Sequence, residues 1–265
     1  MEINRLLSVL FLPAVLVAAC TGPVQQDSPG TGGDELTGVQ ALLWYQRAAE
    51  TDALYLQGYN VATDRVLAYS SAGKAVPPAV VLDIDETVLD NSPFNVDMLR
   101  NGYSYSEEKW AAWCEMRQAL PLPGAIDFTN MADSLGVEVF YVSNRAAALM
   151  DATLDNLRQY GFPNADADHV LLKTTTSSKD LRRAAIRESH EIILLLGDNL
   201  GDFEGIFDDR AEDYGKLLVG ENSQEFGRKF IVFPNPIYGT WVKGAFPGGM
   251  PGEKEVLDQL RGYGQ

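Results

Sequence analysis

Apolar positions follow two different rhythms along this chain. From Val39 to about Ser70 they return near every 3.6 residues, at Leu42, Ala49, Ala53, Leu56, Tyr59 and Val66 among others, which predicts helix. Thr51–Asp52 or Gly58 are the expected points for a break, and Trp44 and the tyrosines of this stretch read as packing groups. "SAGKAVPP" ends the helical pattern. Beyond it the rhythm changes to short continuous apolar runs at 79–83, 137–142, 169–173, 192–197 and 230–233. Runs of this kind predict strands covered on both faces. Helical patterns lie between them, such as "AAALMDATLDNLRQYG", which is stopped by Gly161 and Pro163. Such alternation predicts an α/β fold with a parallel sheet and right-handed crossovers.

In that architecture ligands bind beyond the carboxyl ends of the strands. The first run delivers Asp83 and Asp85 there; the second ends in Ser143-Asn144-Arg145, opening a helix; the fourth ends in Gly197-Asp198-Asn199, with Asp202 a turn later. Lys179 follows the third. Each group alone has a plainer reading: Asp85 as a turn cap, Ser143 or Asn144 as a helix N-cap, Lys179 as a solvated lysine. Together they place carboxylates, a hydroxyl, an arginine and a lysine on one rim of one sheet.

That set suits magnesium-assisted phosphoryl transfer. Mg²⁺ takes carboxylate oxygens and shares phosphate oxygens, and an ion between Asp83 and Asp198 relieves their mutual repulsion. A carboxylate can also be the nucleophile, dividing one difficult displacement into two easier ones. Because alternate residues of an extended strand point opposite ways, Asp83 and Asp85 share a site only if the strand end bends, with Ile84 turned toward packing.

Composition narrows the alternatives. A formal net charge of −16 argues against a nucleic-acid polymer as partner, since no basic stripe exists to meet phosphates. Two cysteines, Cys20 and Cys114, exclude a disulfide framework; Cys114 reads as a small core residue beside Trp113, with a Cys20–Cys114 bridge as the alternative. The two histidines, His169 and His190, lie outside every motif, so neither a histidine nucleophile nor a zinc site is expected.

The first residues predict export. "MEINRLLSVLFLPAVLVAAC" has an early Arg5, an apolar run from Leu6 to Val17 too short for an ordinary span, and small residues before Cys20. Residues 1–19 read as a signal peptide. "VAAC" resembles a bacterial lipobox, which implies a lipid on Cys20, and Thr21 rather than Asp after it implies outer-membrane sorting. The Gly-, Pro- and Ser-containing stretch up to residue 38 reads as a flexible tether, and 39–265 as the folded domain.

"DIDETVLDN", "YVSNR", Lys179 and "GDNLGDF" together resemble the four motifs of the haloacid dehalogenase superfamily. The first and last, extended by "LWYQRAAETDALYLQGYN" and "FPNPIYGTW", are similar to the class C bacterial acid phosphatases. The resemblance implies a haloacid dehalogenase-like Rossmannoid parallel sheet flanked by helices, a small, mainly helical cap insertion at about 92–124 and an extra N-terminal helical segment. It implies a Mg²⁺-dependent phosphomonoesterase with Asp83 as nucleophile and metal ligand, and Asp85 as general acid/base with its carbonyl on the metal. An acidic optimum goes with that acid role. Asp198 is then the third ligand, Asp202 and Arg145 support the site, Ser143 and Asn144 hold phosphoryl oxygens, and Lys179 bridges phosphate and Asp83. Trp110 and Tyr238 match family aromatics that stack on the base of a nucleoside monophosphate, a task that flat faces suit. Trp113 reads as packing. Family resemblance further implies a homodimer and a lipid anchor as the only membrane contact. Two other readings stay open: a non-catalytic surface lipoprotein on the same scaffold, and a phosphotransferase using the same covalent intermediate.

Overall fold

The computed structural model describes residues 37–69, 75–210, 214–246, 252–258, 260 and 262. The expected signal peptide, Cys20 and the expected tether to residue 36 lie outside the described residues, as do residues 70–74.

Five parallel strands form the central sheet: β1 (Pro78–Leu82), β2 (Glu138–Ala146), β3 (Val170–Lys173), β4 (Glu191–Gly197) and β5 (Phe230–Val232), in the order β3-β2-β1-β4-β5. Side chains alternate between the two faces. Val80 and Leu82 join one hydrophobic cluster with Tyr55, Tyr59, Phe128 and Leu157. Ala79 and Val81 join a second with Ile186, Phe203 and Phe230 on the opposite face. With both faces covered, all five residues of β1 are buried, which is why the strand reads as an unbroken apolar run.

The chain leaves β1 toward β2 and β3, then crosses to β4 and β5 on the other side. The order therefore reverses between β1 and β4, where an open α/β sheet leaves a crevice. Register lines up the motif residues there. Leu82 pairs with Tyr141 on one side and Leu196 on the other, and the Asp83 amide donates to the Leu196 carbonyl at 2.9 Å. Asp83, Ser143 and Asp198 thus emerge along one edge.

The N-terminal helical segment is two helices, α1 (Thr37–Arg47) and α2 (Ala49–Ala68). They part at Ala48, which is extended, not at Thr51–Asp52 or Gly58 as the sequence pattern suggests. Thr51 is instead tied back across the break, its hydroxyl donating to the Trp44 carbonyl at 2.9 Å. Gly58 lies inside α2 because a Cβ there would meet the Phe233 ring at 2.5 Å. Between β1 and β2 come α3 (Ser92–Asn101), α4 (Glu107–Glu115) and α5 (Ala125–Ser134). A two-residue antiparallel ladder of Leu89–Asp90 with Leu120–Pro121 closes the base of the α3–α4 excursion. Cys114, in α4, is buried and free.

Three further helices flank the sheet, α6 (Met150–Gln159), α7 (Asp180–Arg187) and the short α8 (Lys216–Glu221). The helix expected directly after Arg145 starts later than the sequence suggests. β2 continues through Ser143, Asn144 and Arg145 to Ala146, and a 3₁₀ turn at Ala147–Leu149 precedes α6. An irregular register with β3 between Ser143 and Ala146 lets the strand carry these polar residues past the sheet edge. Neither Ser143 nor Asn144 is a helix cap.

Candidate active site at the carboxyl edge of the sheet

Three carboxylates converge where β1 and β4 end. One oxygen each from Asp83, Asp198 and Asp202 lies within 4.8 Å of the others. Asp83 and Asp202 are buried. Burial pushes the Asp83 carboxyl up to about 7 against the pull of Lys179, with Asp202 and Asp85 adding to the rise. Burial, then Asp202 and Asp83, also raise Asp198 well above the usual carboxylate range. These acids are short of positive charge, and their all-oxygen donor set is the kind that a hard divalent cation takes. The residues therefore fit a metal.

Lys179 supplies the one ammonium in contact with the cluster among the described residues. It is buried, immediately precedes α7, and donates to Asp83 and, at 2.7 Å, to Asp202. Burial alone would lower its pKa, but Asp202 and Asp83 outweigh that and raise it. Asp202 is itself fixed by a reciprocal cap: its Oδ2 accepts from the Asn199 amide at 2.9 Å, and Asn199 accepts from Gly201. Gly197 makes room for this, since a Cβ there would lie 2.4 Å from the Asp202 Cβ.

Asp85 belongs to a different network. Its carboxylate turns to Arg145, which donates from Nη2 at 2.8 Å and Nε at 3.0 Å to Oδ1, where Asn91 also donates at 2.8 Å. The Ser143 hydroxyl donates to Oδ2 at 3.1 Å. The turn between Asp85 and the cap is tight. Glu86 has φ +59°, its side chain is fully buried, and its Oε1 accepts from the Asn91 amide at 2.7 Å. Burial, with Asp85 and Asp198 nearby, raises the Glu86 carboxyl well above its ordinary value.

A cleft of about 1220 Å³ opens above these residues. Phe94, Met98, Tyr105 and Trp110 line it from the α3–α4 segment, and Tyr238 from the chain after β5. Trp110 meets Phe94 edge-on at 5.2 Å between centroids, and the Arg145 guanidinium lies 5.8 Å from its ring. Asn144, exposed on the rim, accepts from Arg182 at 2.7 Å. Every candidate residue from Asp83 to Tyr238 thus lies on or beside one cleft. Trp113 packs against the main core and donates its indole N–H to Asn91 at 2.8 Å.

Several residues beyond the candidate set support the site. The Tyr55 hydroxyl donates to the Glu86 carbonyl at 2.6 Å, and Tyr59 to the Thr87 carbonyl at 2.7 Å, so the buried tyrosines of α2 hold the loop after Asp85. The fully buried Arg183 donates to the carbonyls of Gly201 and Asp202 at 3.1 and 3.0 Å. Arg182 ties the Ser143 carbonyl, at 2.6 Å, to the Ser178 carbonyl, at 3.1 Å. Asn235 donates to Asp198 at 2.8 Å. Most of these contacts join residues distant in the chain; the resemblance of "LWYQRAAETDALYLQGYN" and "FPNPIYGTW" marked the stretches that hold Tyr55, Tyr59 and Asn235, but not the residues themselves. His169 and His190 lie at the opposite end of the sheet, both against Glu138 at 3.2 and 3.0 Å.

A family model described as "HAD superfamily, subfamily IIIB (Acid phosphatase)" matches residues 36–241. Among solved structures, the class C acid phosphatase from Bacillus anthracis is 39% identical, with a TM-score of 0.81 over 86% of this chain and 99% of that one. Two curated plant proteins are similar over shorter stretches. Acid phosphatase 1 of Solanum lycopersicum is 28% identical over 133 residues, 47% of this chain and 51% of its own. Vegetative storage protein 1 of Arabidopsis thaliana is 25% identical over 171 residues, 60% of this chain and 54% of its own. The chain spans about half the length of the curated relatives it matches.

Proposed function

Because this chain belongs to subfamily IIIB of the HAD superfamily, the acid phosphatases, we propose that it hydrolyses small phosphomonoesters, nucleoside 5′-monophosphates among them, with Mg²⁺ and through a phosphoryl group carried on Asp83. The observation that supports this most is the Asp83 carboxylate itself: held by Lys179 and clustered with Asp198 and Asp202 at the floor of the cleft.

Asp83, Asp198 and the backbone carbonyl of Asp85 would hold the metal. Bound there, Mg²⁺ supplies positive charge that ionises the acids around it and draws electron density from the phosphoryl oxygens. Asp83 attacks phosphorus, and the bond to the ester oxygen breaks as that oxygen takes a proton from Asp85. Arg145 and Asn91 donate mainly to Asp85 Oδ1, while Oδ2 accepts from Ser143 and, at 3.3 Å, from Arg145 Nε. Once the Ser143 hydroxyl turns to a phosphoryl oxygen, Oδ2 is the oxygen that carries the proton. The same oxygen then accepts a proton from water as water attacks the aspartyl-phosphate and frees Asp83. Lys179, Ser143 and Asn144 stabilise the equatorial oxygens in both steps. Trp110 and Tyr238 offer flat faces to the organic group. In the intact protein, a lipid on Cys20 would hold this domain at a bacterial membrane surface.

The test is purified protein with an aryl phosphate, with and without Mg²⁺, followed by a panel of phosphomonoesters ranked by kcat/KM. Activity that appears with Mg²⁺ and vanishes reversibly on chelation supports the reading; turnover indifferent to chelation sinks it. Likeness to a protein named for storage favours one second reading, a non-catalytic role, for which the same assay would read nothing. The buried pairing of Lys179 with Asp83 argues against it, since a store has no need of a poised nucleophile. Added nucleoside in the assay separates hydrolysis from transfer to an acceptor alcohol.

A further inference from the structure

The segment after β5 is built onto the end of β4. Its Phe233 amide donates to the Gly197 carbonyl at 2.9 Å, and the Thr240 hydroxyl donates to Asn199 at 2.6 Å. Between these two attachments stands Asn235, half-buried, whose side chain works at both ends. Its Oδ1 accepts from the backbone amides of Ile237 at 3.0 Å and Tyr238 at 3.2 Å. Two N–H donors require oxygen there, which fixes the amide's orientation and turns the NH₂ outward. Nδ2 then donates to Asp198 Oδ2 at 2.8 Å.

We propose that Asn235 is a positioning residue that couples metal affinity to recognition of the substrate's organic group. One end holds the Asp198 carboxylate in the orientation a ligand needs; the other folds the turn that brings Tyr238 into the cleft. The inference rests on the reading of Asp198 as a metal ligand and of Tyr238 as part of the substrate wall. Partners of this kind change metal affinity by about 10–100-fold when lost. A wall built on the loop of a metal ligand would make the affinities for cation and substrate depend on each other.

Two substitutions separate the ends. Asn235→Asp keeps an acceptor for the Ile237 and Tyr238 amides but sets a like charge against Asp198. Asn235→Ala removes both functions. Mg²⁺ binding to purified wild type and both variants is measured by titration calorimetry. KM at saturating Mg²⁺ is measured for adenosine monophosphate and for methyl phosphate, which has nothing to stack. Melting temperatures of the metal-free proteins show whether each variant folds.

Asn235→Ala, which takes the donor from Asp198, should bind Mg²⁺ at least about tenfold more weakly. Only Asn235→Ala should raise KM for the nucleotide relative to methyl phosphate, by about tenfold, the scale of a lost stacking contact. Wild-type Mg²⁺ affinity in folded Asn235→Ala would overturn the coupling, as would an unchanged KM ratio in the same variant. A wild-type protein that takes up no Mg²⁺ would instead overturn the underlying reading of Asp198.

Discussion

Lys179 and Asp83, 96 residues apart in the chain, form a buried ion pair at the floor of the cleft. Lys179 also holds Asp202, so one ammonium is shared by two carboxylates that would otherwise repel. Replacing it with methionine keeps most of the apolar stem and removes the charge. Lys179→Met should lower kcat by about 10²–10³-fold, the cost of losing one preorganised donor to a developing anion. Steady-state kinetics at saturating Mg²⁺ check this; a kcat within a few-fold of wild type would remove Lys179 from the chemistry.

Tyr55 connects the N-terminal helices to the catalytic loop. Its hydroxyl reaches the Glu86 carbonyl at 2.6 Å and the Tyr45 hydroxyl at 2.7 Å, all buried. Tyr55→Phe leaves two buried oxygens short of a partner, and unfolding in urea should show a loss of about 1–3 kcal/mol. Tyr59→Phe should behave similarly through the Thr87 carbonyl. A neutral result for both would mean that the aromatic bodies, packed against Phe233, carry the whole role of α2.

Gly197 is constrained by its neighbour rather than by its own backbone. A methyl group there would sit 2.4 Å from the Asp202 Cβ, so Gly197→Ala must displace Asp202 from both Lys179 and the Asn199 cap. Overpacking of this kind costs about 1–3 kcal/mol, visible in the melting temperature, and activity should fall further than stability accounts for. Full activity in Gly197→Ala would show that the position of Asp202 is not critical.

Far from the cleft, Glu138 accepts from His169 and His190, and Asp166 pairs with His169 at 2.7 Å. His169 gains from its carboxylates more than burial takes away, which raises it above its ordinary 6.5; its contribution is complete below that value and fades as pH rises through the raised one. Glu138 and Asp166 are lowered despite some burial, by their hydrogen bonds to these histidines. Their contribution is present above their ordinary 4.5 and 3.8 and fades as pH falls through the lowered values. The cluster therefore stabilises most in mildly acidic solution. Glu138→Gln should lower the melting temperature by roughly 1–3 °C near pH 5.5 and by less at pH 8, the scale of part-exposed ion pairs. An equal loss at both pH values would contradict the ionic account.

The sheet and the acid cluster were legible because each strand is a local apolar run and its chemistry follows immediately: Asp83 after Leu82, Asp198 after Gly197. The supporting contacts were not, because they join residues with no shared local pattern. Asn235 meets Asp198, and Tyr55 meets Glu86, only once β5 and α2 have docked. The helix break at Ala48 escaped for a related reason: the local pattern offered Thr51–Asp52 or Gly58, but Thr51 is tied back to Trp44 and the absent Cβ of Gly58 answers to the distant Phe233 ring. Ser143 and Asn144 looked like caps because polar residues between an apolar run and a helical pattern usually are. An irregular register with β3 carries the strand past them instead.

The most direct test of the whole account is hydrolysis of an aryl phosphate by Asp83→Asn beside wild type, at saturating Mg²⁺ and mildly acidic pH. With the nucleophile replaced by an amide of the same shape, turnover should fall by at least about 10³-fold while the melting temperature shows a folded protein. Activity retained in Asp83→Asn would contradict the covalent mechanism at its first step.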